Sequence, residues 1–270
     1  MGWLSKLFSS ELPQADLSAL GTDIHSHLIP GIDDGSVSIE DSVNLIRGLR
    51  DLGYKKLITT PHIMSDFYRN TPEVIYKGLE DVREALKKEQ IDVQLEAAAE
   101  YYCDMDFEKS IDRGNLMTFS GKFILVELSY LNPSENFESV TFKLQMQGLT
   151  VVLAHPERYP YWYHSFDKYE SLREKGVLLQ VNLASMTGHY GTGPKRIAER
   201  LIDNNLVDIL GTDTHKMSHI DVFKRALKEP MLHRLLDSGM LINDKLQLGA
   251  CYFCFRSNFL NQTLQYFAWT

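Results

Sequence analysis

Histidine and carboxylate residues recur at short, regular intervals in this 270-residue chain. The stretch TDIHSHLIPGIDDG, near the N-terminus, sets Asp23, His25 and His27 at every second position and adds Asp33 and Asp34 in the following loop. Alternate side chains of a β-strand share one face, so the two imidazoles can converge on one metal ion. Taken alone, this stretch is as compatible with a polar loop as with a metal site.

Further candidate ligands stand at the ends of other apolar or β-branched runs. The runs are 20–27, 56–62, 94–101, 123–129, 150–156, 178–185 and 208–215. All but the sixth end in or near a candidate ligand, and the full set is His25, His27, Asp34, His62, Glu100, Glu127, His155, Asp213 and His215. Glu127 follows an apolar strand segment, where an unpaired carboxylate would be costly. Together these strand ends favour a metal centre over a set of unrelated structural residues.

The stretches between these runs have helical patterns, which predict parallel βαβ units. Residues 38–52 begin with a serine three positions before an aspartate, and 72–90 and 194–205 begin with prolines at plausible first helical positions. Seven strand runs without a G-x-G-x-x-G motif favour a closed, TIM-like α/β barrel over an open dinucleotide-binding sheet. In such barrels the active site forms at the carboxyl ends of the strands, where the candidate ligands fall.

We predict one domain over residues 20–270, preceded by an N-terminal extension, 1–19. A last strand is expected around LQLGACYF and a terminal helix over SNFLNQTLQYF. At the second position before His25, Asp23 is expected to accept an imidazole N–H and so orient a ligand.

Composition narrows the function classes. The net charge of −8 disfavours a nucleic-acid partner. No apolar run is long enough for a membrane helix and no secretory signal is present, which predicts a cytoplasmic protein. The three cysteines fit a reducing compartment, and none lies in a C-x5-R nucleophile motif. The C-x-x-C of Cys251 and Cys254 has no second ligand pair nearby and is interpreted as packing.

The ligand types indicate the class of metal. A mixture of imidazole and carboxylate without thiolate suits manganese, iron or zinc, with magnesium as a further alternative. Nine side chains exceed the needs of one ion and predict two or three. Three divalent ions against four carboxylates leave about +2, whereas two leave about 0, so a phosphate-ester substrate would favour three.

A cation follows one of these ligands. In HPERYPYW, Arg158 lies three residues beyond His155. Its planar guanidinium can bind two phosphate oxygens at once. The alternative is a structural ion pair with Glu157 or another loop carboxylate.

The motifs D-x-H-x-H-x-L-x-P-G-x-D-D-G, T-P-H, A-E-Y, V-E-L-S, A-H-P-E-R-Y and T-D-T-H occur in this order. Together they resemble the PHP superfamily of metal-dependent phosphoesterases, and more closely its bacterial manganese-dependent protein-tyrosine phosphatases of capsule and exopolysaccharide systems (CpsB/YwqE-like). The resemblance implies a distorted (β/α)7 barrel. It makes all nine candidate residues metal ligands, with Asp34 rather than Asp33 from the first loop, and Arg158 a phosphate-binding residue.

The sequence departs from the family pattern at two places, one within the last motif and one after it. T-D-T-H replaces the usual S-D-A-H and keeps both ligands. Relatives often carry a second phosphate-binding arginine about seven residues later, where this chain has Val222, and Lys216, His219 or Arg225 are the alternatives.

The resemblance implies hydrolysis of phosphotyrosine by a hydroxide that bridges two metals. The expected substrate is a phosphotyrosine protein, first of all the tail of a bacterial tyrosine kinase of polysaccharide synthesis. Candidate substrate contacts are Tyr68, Tyr159, His189, Lys216 and His219. The alternatives are a small-molecule phosphomonoesterase such as histidinol phosphatase, and a non-catalytic metal-binding scaffold. The sequence leaves open whether the chain forms a homo-oligomer.

Overall fold

The structure is a computed structural model, and it describes residues 13–246. The predicted last strand, the terminal helix and the C-x-x-C pair lie outside the described residues, as does most of the predicted N-terminal extension.

Nine strand segments alternate with helices along the chain. They are β1 (Thr22–Asp23), β2 (Lys56–Thr59), β3 (His62–Ile63), β4 (Gln94–Ala97), β5 (Glu100–Tyr102), β6 (Phe123–Glu127), β7 (Thr150–Ala154), β8 (Leu178–Asn182) and β9 (Ile209–Gly211). The pairings between them are all parallel and form two sheets, in the orders β1-β2-β4 and β3-β5-β6-β7-β8-β9.

These nine segments occupy seven strand positions of one barrel. β2 and β3 are two parts of one predicted run, interrupted at Thr60 and Pro61, and β4 and β5 are two parts of the next. Backbone hydrogen bonds cross both interruptions, from Ala98 N–H to the Thr59 carbonyl at 2.9 Å and from Glu100 N–H to the Pro61 carbonyl at 3.1 Å. A parallel bridge between Ser26 and Thr214 joins the first position to the last. The predicted distorted (β/α)7 barrel is therefore confirmed.

The helices are α1 (Ile39–Asp51), α2 (Pro72–Lys88), α3 (Met105–Arg113), α4 (Phe137–Met146), α5 (Asp167–Glu174), α6 (Thr192–Asp203), α7 (Met217–Ala226) and α8 (Pro230–Asp237). Helix α1 begins as predicted, because the Ser38 hydroxyl accepts the Asp41 N–H at 3.1 Å. Helix α6 begins two residues before the predicted Pro194. Gly191, with φ +105°, turns the chain into the helix, and a proline is tolerated inside a first turn whose N–H groups have no helical partner.

The hydrophobic core has two layers. Inside the barrel a small cluster includes Ile24, Ile58, Leu125 and Val152, and a larger layer packs between the strands and the helices. Leu17 is fully buried in the outer layer, so part of the predicted N-terminal extension belongs to the barrel. Within residues 13–246, no helix has the length and apolar character needed to cross a bilayer.

Candidate metal centre

The carboxyl ends of the strands bring all nine predicted ligands into one site. Their donor atoms form four overlapping groups, each with donor atoms within 4.8 Å of one another. The groups are His27, Asp34, His62 and His215; His25, Glu100 and His155; His25, His27 and Asp213; and His62, Glu100 and Glu127.

Glu100 lies at the middle of the site and is fully buried. One carboxylate oxygen lies 3.2 Å from Nε2 of His25 and 3.1 Å from Nδ1 of His62, while the other lies 3.2 Å from Nε2 of His155. Glu100 belongs to two of the four donor groups, so its carboxylate is placed to serve two neighbouring ions.

Asp213 and Asp34 add two carboxylates to the site, one buried and one exposed. An Asp213 oxygen lies 3.5 Å from Nε2 of His25 and 3.3 Å from Nδ1 of His215. Asp34 is exposed, and its oxygen lies 3.5 Å from Nε2 of His62 and 3.4 Å from Nε2 of His215. The two carboxylates therefore serve different depths of the same cluster.

Two residues that the sequence reasoning missed orient the first two histidines. The Asp33 carboxylate lies 2.8 Å from Nδ1 of His27, and the Gln180 side-chain oxygen lies 2.7 Å from Nδ1 of His25. Each contact occupies Nδ1 and leaves Nε2 facing the site. The sequence signal for Asp33 was the adjacent pair of aspartates. The signal for Gln180 was the presence of two amide side chains, two residues apart, in the otherwise apolar strand LLQVNL.

The expected role of Asp23 is corrected by the structure. Its buried carboxylate accepts the backbone N–H of Thr212 at 2.9 Å and the Thr212 hydroxyl at 2.8 Å, rather than an imidazole N–H. Asp23 thus ties β1 to the residue that follows β9. The sequence places it on the correct face but not against its partner, which lies 189 positions away.

Several buried polar atoms of the site have no hydrogen-bond partner among the described residues. They are Nε2 of His25, Nε2 of His27, Nδ1 of His62 and one oxygen of Glu100. Leaving such atoms buried and unpaired is costly, and polar groups of this kind are normally satisfied. Because all four point into the same donor cluster, the residues present fit metal ions.

The charges of the site depend on one another. Burial opposes protonation of His25, but the carboxylates of Glu100 and Asp213 raise its pKa to about 9. Burial and the charge of Glu100 raise the pKa of Glu127 well above its ordinary value. Burial lowers the pKa of His155 to about 4. Protons and divalent cations therefore compete for the same donor atoms.

Two of the predicted ligands adopt a left-handed backbone conformation that is uncommon for residues other than glycine. The φ angles are +31° at His155 and +53° at Asp213. Each residue directly follows, or stands close after, the end of a strand. Strain of this kind concentrates at functional sites, where surrounding structure holds it.

Arg158 lies at the rim, between two tyrosine rings. Its guanidinium carbon is 4.7 Å from the ring centre of Tyr130 and 4.1 Å from that of Tyr190, and Nη1 donates to Asp213 at 3.0 Å. Neither tyrosine was predicted. The preceding Glu157 does not pair with Arg158: one of its oxygens accepts the backbone N–H of Asn182 at 2.9 Å and the Ser185 hydroxyl at 2.6 Å.

A pocket of about 380 Å³ opens above the cluster. Of the candidate substrate contacts, Tyr68 lines this pocket and stacks on His62, with ring centres 5.4 Å apart. Tyr159 is fully buried, and its hydroxyl donates to the Ala154 carbonyl and accepts the Leu128 N–H. The prediction for Tyr159 was wrong, because these bonds close its hydroxyl into the barrel wall.

The other candidate contacts lie outside the pocket lining. Lys216 is exposed before α7, and His189 packs edge-to-face against His219, with ring centres 5.3 Å apart. His219 accepts the backbone N–H of His215 at 3.3 Å. Val222, in the place of the second arginine, is buried in the core. Among the described residues, the metal pocket is lined by one arginine, Arg158, and by no lysine.

Most of the chain is matched by the model of a known protein family. The family model described as "Capsular polysaccharide synthesis, CpsB/CapC" covers residues 21–226. The chain belongs to the CpsB/CapC family. This confirms the resemblance drawn from the motifs.

Characterised relatives of this CpsB/CapC chain carry phosphatase names. Tyrosine-protein phosphatase YwqE of Bacillus subtilis is 28% identical over 72% of this chain and 77% of its own length. Tyrosine-protein phosphatase CpsB of Streptococcus pneumoniae is 25% identical over 72% of this chain and 83% of its own length.

Solved structures give the same assignment of fold. A structure described as YwqE from Bacillus subtilis and CpsB from Streptococcus pneumoniae, unique metal-dependent tyrosine phosphatases, matches with a TM-score of 0.73 and 25% identity, over 83% of this chain and 90% of that chain. An amidohydrolase from Mycoplasma synoviae matches with a TM-score of 0.50 and 13% identity, over 86% of each chain, and shares the fold alone.

Proposed function

We propose that this chain is a metal-dependent protein-tyrosine phosphatase. The observation that supports it best is the convergence of nine imidazole and carboxylate side chains, with a rim arginine, in a tyrosine-lined pocket. The names of its relatives within the CpsB/CapC family support the same activity. The natural substrate we propose is a phosphotyrosine protein of polysaccharide synthesis, first of all the tail of a bacterial tyrosine kinase.

The nine ligands would hold two or three divalent ions, with manganese as the first candidate. Glu100 would be shared between two ions, because it belongs to two of the donor groups, one with His25 and His155 and one with His62 and Glu127. Hard carboxylate and borderline imidazole donors without thiolate suit this class of ion. Bound ions would polarise the phosphoryl oxygens and activate water at neutral pH.

The chain's own residues would bind and orient the phosphate. The hydrogen bonds of the described residues use only Nη1 of Arg158, which leaves N–H donors for phosphoryl oxygens. Tyr130 and Tyr190 hold the guanidinium plane from both sides. Asn182 donates to the same Asp213 oxygen at 2.7 Å and so helps to keep that carboxylate in place.

The tyrosine side chain of the substrate would then leave as a phenolate. With a pKa of about 10, phenol leaves without strong protonation. The chain therefore needs no general acid of the kind that alkyl phosphates require, and no cysteine nucleophile.

Steady-state hydrolysis tests the proposal. The manganese-loaded protein should hydrolyse a phosphotyrosine peptide with kcat/KM well above that for histidinol phosphate, and a chelator should abolish both. Efficient turnover of histidinol phosphate with negligible turnover of the peptide would instead support the small-molecule reading. Activity that survives chelation and is abolished by a thiol reagent would contradict metal-dependent hydrolysis.

A further inference from the structure

Two large apolar side chains stand exposed at the mouth of the metal pocket. Phe67 retains 73% and Leu131 86% of their accessible surface, and both line the pocket. Single exposed apolar residues are ordinary, but two at one pocket mouth form a candidate binding surface. We call this pair the apolar rim.

The loop that carries Phe67 is held by hydrogen bonds on both sides. Met64 and Tyr68 exchange two backbone N–H···O bonds, each of 2.9 Å, so Phe67 lies near the tip of a short hairpin. The Ser65 N–H donates to the Asp104 carboxylate at 3.0 Å, which joins the hairpin to α3. Phe67 is therefore exposed on a supported loop.

The loop that carries Leu131 is supported in the same way. The Ser129 hydroxyl accepts the Leu131 N–H at 3.1 Å, and the Tyr161 hydroxyl donates to the Ser129 carbonyl at 2.7 Å. Ser129 lies two residues after Glu127, the ligand at the end of β6. The position of Leu131 is thus tied to the metal centre through a short stretch of chain.

The pocket changes character from its floor to its mouth. The charged ligands form the floor, Arg158 borders this ligand cluster, Tyr68, Tyr102 and Tyr130 line the wall, and the apolar rim stands at the exposed edge. A phosphate group suits the floor and an aromatic ring suits the wall. The apolar rim can then contact the residues that lie beside the phosphotyrosine in the substrate.

A second depression adjoins the metal pocket. It has a volume of about 410 Å³, is lined by Ser65 of the Phe67 hairpin and shares Met64 with the metal pocket. Arg69 and Arg113 line it. A small phosphate ester would occupy only the metal pocket, whereas an extended peptide can run across both.

We propose that the apolar rim contacts an apolar side chain next to phosphotyrosine in the substrate. Phe67 and Leu131 would thereby act as specificity residues that favour peptide-borne phosphotyrosine with an apolar neighbour. This inference rests on the proposed phosphatase activity.

Two phosphotyrosine peptides test the rim, identical except for leucine or serine on both sides of phosphotyrosine. The manganese-loaded protein should prefer the leucine peptide by about tenfold in kcat/KM, as expected for apolar burial of this size. The double variant Phe67→Ala/Leu131→Ala should lose the preference and retain its activity on free phosphotyrosine. Phe142→Ala, which removes an exposed ring from the outer helix α4, should retain the preference.

A binding measurement separates this inference from the activity. Matching peptides that carry a non-hydrolysable phosphonate in place of phosphate should show the same difference in Kd, and the double variant should abolish it. If the protein hydrolyses no phosphotyrosine compound, the proposed function fails, while these Kd values still decide the role of the rim.

Three results would overturn the inference. The first is equal affinity and equal kcat/KM of the unchanged protein for the two peptides. The second is an equal loss of activity on free phosphotyrosine and on both peptides in the double variant. The third is a dimer that this variant dissociates in light scattering, because a second copy of the chain would then cover the rim.

Discussion

Individual side chains of the metal centre depend on neighbours that hold them in one orientation. The Asp33 carboxylate is fully buried, lies 2.8 Å from Nδ1 of His27 and also accepts the backbone N–H of His62 at 3.1 Å. It therefore joins two predicted ligands that come from different strand positions. Loss of such a contact commonly weakens metal binding, because the imidazole can rotate or change tautomer.

Replacing Asp33 with asparagine tests this contact. We expect Asp33→Asn to lower manganese affinity about 10- to 100-fold, measured by calorimetric titration of the metal-free protein. Asp112→Asn, on the exposed face of α3, should leave the affinity unchanged. An unaltered affinity in the Asp33 variant would show that His27 needs no such partner.

Substitutions of Arg158 test its proposed contact with the phosphate group. We expect Arg158→Ala to lower kcat/KM for a phosphotyrosine peptide by roughly 10²-fold, as the loss of one positioned donor does elsewhere, and Arg158→Lys to recover part of it. Because Arg158 also bonds Asp213, the metal content of each variant must be measured beside its activity.

The matched control for Arg158 is Arg50→Ala, which removes an exposed arginine that pairs with Asp51 on α1. Its activity should match that of the unchanged protein. Full activity in Arg158→Ala would mean that the contact with Asp213 is purely structural.

At the scale of elements, the loop after β1 is packed too closely to accept a side chain at Gly35. A Cβ atom there would overlap Cβ and the carbonyl oxygen of His27 and would lie 3.0 Å from an Asp33 oxygen. The Gly35 N–H also donates to that Asp33 oxygen at 3.0 Å. The loop thus closes onto the strand end that carries His27, and this closure brings Asp33 and Asp34 into the site.

We therefore expect Gly35→Ala to open this loop. The free energy of unfolding should fall by about 1–3 kcal/mol, as for other overpacked sites, and manganese affinity should fall with it. Denaturant unfolding and calorimetric titration measure the two effects.

Gly148→Ala provides the comparison. Gly148 has φ +79° and open space around its Cα, so alanine there should cost about 1–2 kcal/mol through backbone strain alone. Its manganese affinity should not change. Equal affinities in the two variants would contradict a role of Gly35 packing in forming the site.

At the scale of the whole molecule, the metal centre draws on almost every strand position of the barrel. The predicted ligands follow β1, β7 and β9 or stand on β3, β5 and β6, so ions would connect elements that are far apart in the chain. Any ligand that binds the folded state and not the unfolded chain raises the free energy of unfolding.

Removing the metal should therefore destabilise the whole barrel. With manganese at about 100 times its Kd, each ion adds about 2.7 kcal/mol to the free energy of unfolding, and chelation should lower Tm by roughly 5–10 °C for every ion removed from a domain of this size. Differential scanning calorimetry with and without chelator measures the change.

Glu100→Ala, which removes the central carboxylate, serves as the control for chelation. Its Tm should respond much less to the chelator than that of the unchanged protein. A Tm that is insensitive to chelator in the unchanged protein would show that metal binding is not coupled to the stability of the barrel.

The sequence by itself determined the strand positions, the closed α/β class and the nine side chains that meet at one end of the barrel. Each of these depends on short-range rules, because strand periodicity places alternate residues on one face and parallel strands gather their carboxyl ends on one side of a barrel. The H-x-H and D-x-H spacings carry this information locally, which explains why the members of the donor cluster could be named before their positions were known. Their role as metal ligands stays a prediction.

The tertiary structure alone decided the partners of these residues. Gln180 lies 155 positions from His25 and Asp23 lies 189 positions from Thr212, and no local spacing identifies such pairs. The same holds for Tyr130 and Tyr190 around Arg158, and for Tyr159, whose hydroxyl is turned into the wall. Barrel closure sets which side chains meet, and that closure is a property of the whole chain.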